Sequence, residues 1–468
     1  MSHPDAIPLR DVVPYVPVTV SGAYPARPGN LVRPLVDGVP AFRRIAEAIA
    51  SARHSIWLTV AFYAHDFRFP DDAGTLFDVL DRAVVRGLDV RVLFWRPNQQ
   101  SAGYGRTFPG SQADLGLLRA RGSRFSIRWD QAHAAFCQHQ KSWIIDAGQP
   151  GETAFIGGTN LTAKALGVPG HRDGGRHDIY VEVTGPSATD VHHNFVQRWN
   201  EASERTKPDG IWGPAGTAML PFPVRASRSQ GASVVQIQRM VHAGRYADGH
   251  PTPDGPRYDI SAGERSVLEQ HERAIEAARS SIYIENQALP VPAIARRLEA
   301  ALRRGVEVVM LVPAEPEAWV YAARRDPSRA ELFDCIESLS RYEAFALVGL
   351  VVSEAGQNRA VYVHAKAMLV DDTWATIGSC NLHANSLTGH TEMNASIWDT
   401  EVARALRCEL LAEHLGQDTS GLSDRAAMQR LRETAERNGI AMKNGDAGWQ
   451  GLAVTLKTSE YGRQSIRT

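Results

Sequence analysis

Cysteine is scarce: four in 468 residues, at positions 137, 335, 380 and 408, with no CxxC spacing. That scatter argues against a disulfide scaffold and against a zinc site, and it fits a reducing compartment. An excess of charge of either sign is also lacking. With 51 Lys+Arg against 52 Asp+Glu the net charge is −1, so the broad basic field of a typical nucleic-acid binder is missing and nucleic acid is disfavoured as a partner. Arg303-Arg304 and Arg324-Arg325 are the pairs that could line a local groove. Long apolar runs are missing too. The stretch Ala344 to Val352 is far short of the ~20 residues that span a bilayer and reads as a buried strand. The opening residues Met1-Ser-His-Pro-Asp-Ala carry no basic segment followed by an apolar one, so no secretory signal is legible. A cytoplasmic protein is expected, with secretion by a route that needs no signal peptide as the alternative.

Lysine is the rarest basic residue. Only six of the 51 Lys+Arg are Lys, yet two of them fall in one repeated pattern. The first copy is His139-Gln140-Lys141-Ser142-Trp143-Ile144-Ile145-Asp146, followed by Ile156-Gly157-Gly158-Thr159-Asn160. The second is His364-Ala365-Lys366-Ala367-Met368-Leu369-Val370-Asp371, followed by Ile377-Gly378-Ser379-Cys380-Asn381. Composition alone predicts about 0.02 matches to His-x-Lys-x4-Asp in such a chain. Two matches, each with its own Gly-small-x-Asn turn, are not chance.

The repetition extends beyond the motif. Ala48 to Leu58 and Ala274 to Ile284 both read as a helix running into a strand, with a 3.6-residue apolar stripe over Phe42, Ile45, Ala48, Ile49 and Ala52. A second helix, a glycine and an apolar strand follow in each half, over 76–95 and 294–312. Alternating helices and short apolar strands predict two similar α/β halves, an internal duplication, each with a mixed sheet flanked by helices and with the active site at the interface between them. The expected division is an N-terminal extension 1–34, a first domain 35–206, a linker 207–230, a second domain 231–416 and a tail 417–468. The tail carries one short helix, 424–437, and no legible chemistry. With both motifs in one chain, a monomer is expected.

In a strand, residues i and i+2 face the same way, which sets each imidazole beside its ammonium. Asn160 and Asn381, on turns after the strands 154–156 and 375–377, can add amide donors at the same point. Two Lys, two Asn and two His about one point suit a phosphodiester that gains negative charge in the transition state. One imidazole can attack phosphorus and the other can protonate the leaving alcohol, with neither metal nor cofactor required. Cys137 and Cys380 lie near the motifs, but nothing in the sequence activates them, and they read as packing residues.

These residues resemble the paired HKD motifs of the phospholipase D superfamily, over about residues 35 to 416. Ile284-Glu285-Asn286-Gln287 resembles the family's IENQ element. Phe195 to Asn200 and Leu411 to Gly416 resemble the segments closing each half in eukaryotic-type phospholipases D and their bacterial relatives. The resemblance implies His139 as nucleophile and His364 as general acid, an order on which the symmetric sequence itself is silent. It also implies a carboxylate holding each imidazole, matched downstream of the motifs by Asp178 and Glu392. Asp173, inside the insertion 164–176, competes with Asp178. Asp146 and Asp371 end their strands and are expected to support the site from behind, with a plain turn role as the alternative. The expected activity is that of a phosphoric diester hydrolase acting on glycerophospholipid head groups by hydrolysis or transphosphatidylation. The alternatives are a cardiolipin-synthase-like phosphatidyltransferase, a nuclease of the same superfamily, and an inactive phospholipid-binding relative. The expected partner is a phospholipid at a membrane surface.

Overall fold

The predicted apolar stripes fold as helices that press on strands buried on both faces. A computed structural model describes residues 15–354, 357–446 and 448–463; the opening hexapeptide lies outside them. Gly38–Ser51 buries Phe42, Ile45 and Ile49, and the following strand Ser55–Val60 is buried throughout. Leu76–Val85 starts at a reciprocal cap, in which Thr75 accepts from the Asp78 backbone N–H and Asp78 accepts from that of Thr75.

The duplication is explicit in the strand order. The first half runs Arg27–Val36, Ile179–Thr184, Thr153–Gly157, Ser142–Ile145, Ser55–Val60, Asp89–Trp95, Ser126–Asp130 across its sheet. The second half repeats that order as Ser233–Val241, Glu392–Trp398, Trp374–Gly378, Lys366–Val370, Ser281–Asn286, Glu307–Leu311, Phe345–Glu354. In each sheet the last three strands are parallel and the others antiparallel. The two sheets join where Arg27 pairs with Val235 and Asn30 with Ser233.

Helices over 38–51, 76–85 and 112–121 cover the outer face of the first sheet, and those over 266–277, 292–303 and 330–339 that of the second. Between the sheets lies a shared core in which Ile156 and Val181 of the first half meet Ile377 and Ala395 of the second. The fully buried helix Ala188–Asn200 and the helix Thr400–Leu415 close this core. The inner sheet faces are therefore dry, and only the rim where the motif strands begin is left for a shared site.

Two expected boundaries shift. Strand Arg27–Val36 puts residues 27–34 inside the first sheet, because its backbone pairs with Ile179–Thr184 from Leu31 on. The segment after 416 is no tail: Asp424–Asn444 is a 21-residue helix, and Ala453–Thr455 adds an edge strand to Phe345–Glu354. The helix passes Asn438-Gly439 without breaking because Gly439 packs on Thr455, whose Cγ2 would lie 2.7 Å from a Cβ there. Among the described residues no helix is long and apolar enough to cross a membrane.

Candidate active site

His139 and Lys141 stand just before the strand Ser142–Ile145, and Lys366 opens its counterpart Lys366–Val370, with His364 just ahead. The lead-ins do not pair within their own halves. Gln138 forms a parallel bridge with Thr391, and His177 one with Val363. The His139 N–H donates to Thr391 O (2.9 Å) and the His364 N–H to His177 O (2.7 Å). Each motif is thus laid against the other half, one residue ahead of that half's carboxylate.

The consequence is a crosswise pairing. His139 Nδ1 donates to Glu392 (Oε2 2.8 Å, Oε1 3.0 Å), and His364 Nδ1 donates to Asp178 Oδ2 (2.6 Å). Both downstream carboxylates reach a motif imidazole, but each serves the motif of the other half. Fixing Nδ1 as the donor leaves Nε2 of each ring unprotonated and free to act on a ligand. Asp173 takes no part. It accepts from the Gly175 N–H (3.2 Å) in a local turn.

The Gly-small-x-Asn turns hold these carboxylates in different ways. Ser379 Oγ donates to Glu392 (2.6 Å), as does Ser386 Oγ (2.6 Å). At the position equivalent to Ser379 stands Gly158, where a Cβ would lie 2.8 Å from Asp178 Oδ1 and 2.9 Å from Lys366 Cδ. Asp178 is anchored instead by the Ile179 N–H (2.9 Å).

Lys141 Nζ donates to His139 O (2.7 Å), and Lys366 Nζ to Gln287 Oε1 (3.0 Å) and to His364 O. Gln287, from the Ile-Glu-Asn-Gln segment, also donates to Tyr362 Oη (2.8 Å). His139, His364, Asn160 and Asn381 all line one cavity of about 1210 Å³ between the halves. Asn160 Oδ1 and Asn381 Oδ1 are buried without a partner. The lining of the cavity is mixed: Phe62, Leu289 and Leu332 share it with Asp66, Arg106 and Glu317. Tyr104 and Trp319, 41% and 38% exposed, stand at its mouth. Tyr104 lies between the strand Asp89–Trp95 and the helix Gln112–Arg121, and Trp319 on the helix Ala318–Arg325.

Electrostatics set the resting state. Burial pushes the Lys141 ammonium down to about 8. Burial and the neighbouring Lys141 push Lys366 down to about 7. Both motif imidazoles are pushed well below their ordinary range, first by burial and then by neighbouring cations, Lys141 and Lys366 for His139 and Lys366, Arg176 and Lys141 for His364. Burial raises Asp178 to about 6 and raises Glu392. Burial thus disfavours charge of either sign here; a bound phosphodiester would raise the lysines and imidazoles back towards their ordinary range and would raise the two carboxylates further.

Asp146 and Asp371 correct the sequence reading. They lie seven residues past their histidines, ~20 Å along an extended chain, at positive φ (55° and 53°). Asp146 accepts from the backbone N–H groups of Arg53, His54 and Ser55, and Asp371 from those of Arg279, Ser280 and Ser281. They tie the helix-to-strand turns at the far end of each sheet and do not touch the cavity. The turn role is what the geometry gives, because Asp tolerates the left-handed region and its carboxylate matches a row of free N–H groups.

The sequence reading missed Ser386, His383, His390, Arg176 and Tyr362. His390 Nδ1 accepts from the Cys137 N–H (3.0 Å), and Arg176 stacks on Tyr362 at 4.8 Å. Only periodicity of the surrounding segments could have flagged them, since none sits in a repeated motif. Cys137 and Cys380 are buried and their thiols are pushed well up by that burial, which suits packing. Arg303, Arg304 and Arg324 are tied to Glu299, to Ile275 O and to Glu337 respectively, and Arg325 is exposed.

Residues 45–199 and 272–413 match the family described as cardiolipin synthase, PLD-like domain. A cardiolipin synthase of Listeria monocytogenes is 24% identical over 428 residues, 88% of this chain and 74% of its own length. Cardiolipin synthase A of Pseudomonas entomophila is 27% identical over 377 residues, 78% of this chain and 64% of its own. Among solved structures, phosphatidylserine synthase of Haemophilus influenzae shares the fold, with a TM-score of 0.53 at 14% identity over 92% of this chain and 89% of that one.

Proposed function

The chain belongs to the phospholipase D superfamily, and from that premise we propose that it is a phosphatidyltransferase, moving a phosphatidyl group from one phospholipid to a second alcohol through a phosphohistidine. The observation that carries the phosphoryl chemistry is the doubled set of His–carboxylate pairs with two lysines beside one cavity. Transfer, rather than the hydrolysis the sequence put first, is favoured by the cardiolipin synthases among its relatives and by a cavity whose size leaves room for a second lipid alcohol beside the first.

Lys141, Lys366, Asn160 and Asn381 hold the phosphodiester oxygens. Neutral His139 attacks phosphorus with Nε2, forming a P–N bond as the P–O bond to the head-group alcohol breaks. His364, protonated at both nitrogens once the anionic phosphodiester is bound, gives its Nε2 proton to that departing oxygen. The acceptor hydroxyl then passes its proton back to His364 as its oxygen attacks phosphorus, and the P–N bond breaks. Glu392 and Asp178 stabilise each imidazole as charge develops on it. Water admitted in place of the alcohol gives hydrolysis with the same residues.

Product analysis on phosphatidylglycerol, with a nucleic-acid control, separates the readings. A diphosphatidyl lipid with release of glycerol is the expected outcome. Phosphatidic acid alone would make the enzyme a hydrolase, and nicked DNA would overturn the lipid substrate.

A further inference from the structure

Behind the His364 side of the cavity lies a second group of histidines and carboxylates that phosphoryl transfer does not use. Asp37 precedes the helix Gly38–Ser51, His171 and His177 come from the 164–176 insertion and its end, and Glu413 lies on Thr400–Leu415 of the other half. Asp37, His171 and His177 are 1%, 0% and 0% exposed.

These four side chains converge. Asp37 Oδ1 is 3.0 Å from His177 Nδ1 and 3.5 Å from His171 Nε2. His171 Nε2 is 3.1 Å from Glu413 Oε1 and 3.4 Å from His177 Nδ1, and His177 Nδ1 is 3.9 Å from Glu413 Oε2. Tetrahedral ligation at ~2.0 Å bond lengths places ligand atoms about 3.3 Å apart. Hydrogen bonding explains the cluster poorly, because one ring N–H points at one partner, whereas each of these ring nitrogens faces the other ring and two carboxylates.

The surroundings point the same way. His177 Nε2 donates to Glu285 (2.9 Å), the carboxylate–imidazole arrangement that orients metal-bound histidine. Glu285 is itself fixed by Tyr283 Oη (2.6 Å) and His414 Nε2 (3.0 Å).

We propose that Asp37, His171, His177 and Glu413 bind one divalent transition metal of the zinc class. Two imidazoles and two carboxylates suit zinc better than magnesium or calcium, which prefer all-oxygen sites. Four protein ligands leave no open position, so the metal is structural. It clamps the insertion to the second half and fixes the segment that carries Asp178 and accepts the His364 N–H at His177 O. The expectation of no metal rested on cysteine spacing; ligands spread from position 37 to 413 leave no such signature.

The test needs no lipid substrate. The full chain, loaded with zinc and dialysed, should retain about one zinc by mass spectrometry, and refolding with Co(II) should give the visible absorption of a tetrahedral site. Glu413→Gln and His171→Ala should each lose the metal and the Co(II) spectrum. Should those variants fail to fold, wild type is denatured in chelator and refolded with and without zinc, and recovery should be at least several-fold better with zinc. Retention of no zinc with a melting temperature insensitive to zinc and chelator, retention undiminished in both variants, or equal refolding without zinc would each overturn the proposal.

Discussion

The two halves share a strand order and a motif, yet they hold their contributions to the site by different means. Glu392 receives two serine hydroxyls as well as His139. Asp178 receives one backbone N–H and His364, under a glycine with no room for a side chain. What duplication has kept is the set of groups facing the cavity; what has diverged is the support behind them. The halves are also not independent, since each imidazole depends on a carboxylate of the other. Substitutions should therefore couple across the interface, and the two supports should fail differently.

The largest effect is expected from the imidazoles. His139→Ala should abolish turnover and His364→Ala should lower it by ~10²–10⁴-fold, both proteins melting as wild type; substantial activity in either would break the shared-site comparison. Next come the carboxylates. Glu392→Gln and Asp178→Asn should each lower kcat by ~10²-fold or more. Steady-state kinetics of Glu392→Gln combined with Ser379→Ala should show less than multiplicative losses, because both act on one imidazole.

The lysines give a pH signature. Their folded values of about 8 and about 7 lie below the ordinary 10.5, so both ammonium groups lose charge as pH rises through 7 to 8. The groups facing them are Glu392, Asp178 and Cys137 for Lys141, and Asp178, Glu392 and Glu317 for Lys366. Activity should fall on the alkaline side, by about tenfold per pH unit between the two values and about a hundredfold per unit once both have titrated, and Lys366→Arg should move the start of that limb upward. Stability should move the other way. Between the folded and unfolded values the unfolded chain binds more protons, so these two lysines make the ligand-free fold more stable as pH rises from about 7 towards 10.5. Thermal melts against pH, with and without inorganic phosphate, read this directly.

The smallest effect on turnover is expected at Asp146→Asn and Asp371→Asn. Each weakens a turn far from the cavity, costing ~1–3 kcal/mol of stability and leaving kcat within about twofold in a protein that remains folded. A hundredfold loss of kcat without a fall in melting temperature would return these residues to the site.

Much of this was legible because the chemistry is written twice. His139, Lys141, Asn160 and their counterparts sit at fixed spacing on local elements, and local elements follow from periodicity. The carboxylates Asp178 and Glu392 were also legible, but their partners were not. Pairing between Gln138 and Thr391, or His177 and Val363, joins segments over 180 residues apart in sequence, and no local pattern encodes which half a lead-in docks against. Asp146 misled because motif membership was read as membership of the site; seven residues of extended chain carry it to the other end of the sheet. The helix Asp424–Asn444 was cut short because Asn438-Gly439 is a local stop signal that tertiary contact with Thr455 overrides.

The central claim, that each imidazole is held by the other half, is tested most directly by NMR titration of the histidine ring nitrogens in Glu392→Gln and in Asp178→Asn. The crosswise site predicts that Glu392→Gln perturbs His139, lowering its affinity for a proton, with His364 unmoved, and that Asp178→Asn does the converse. If Glu392→Gln moves His364 and spares His139, the account is wrong.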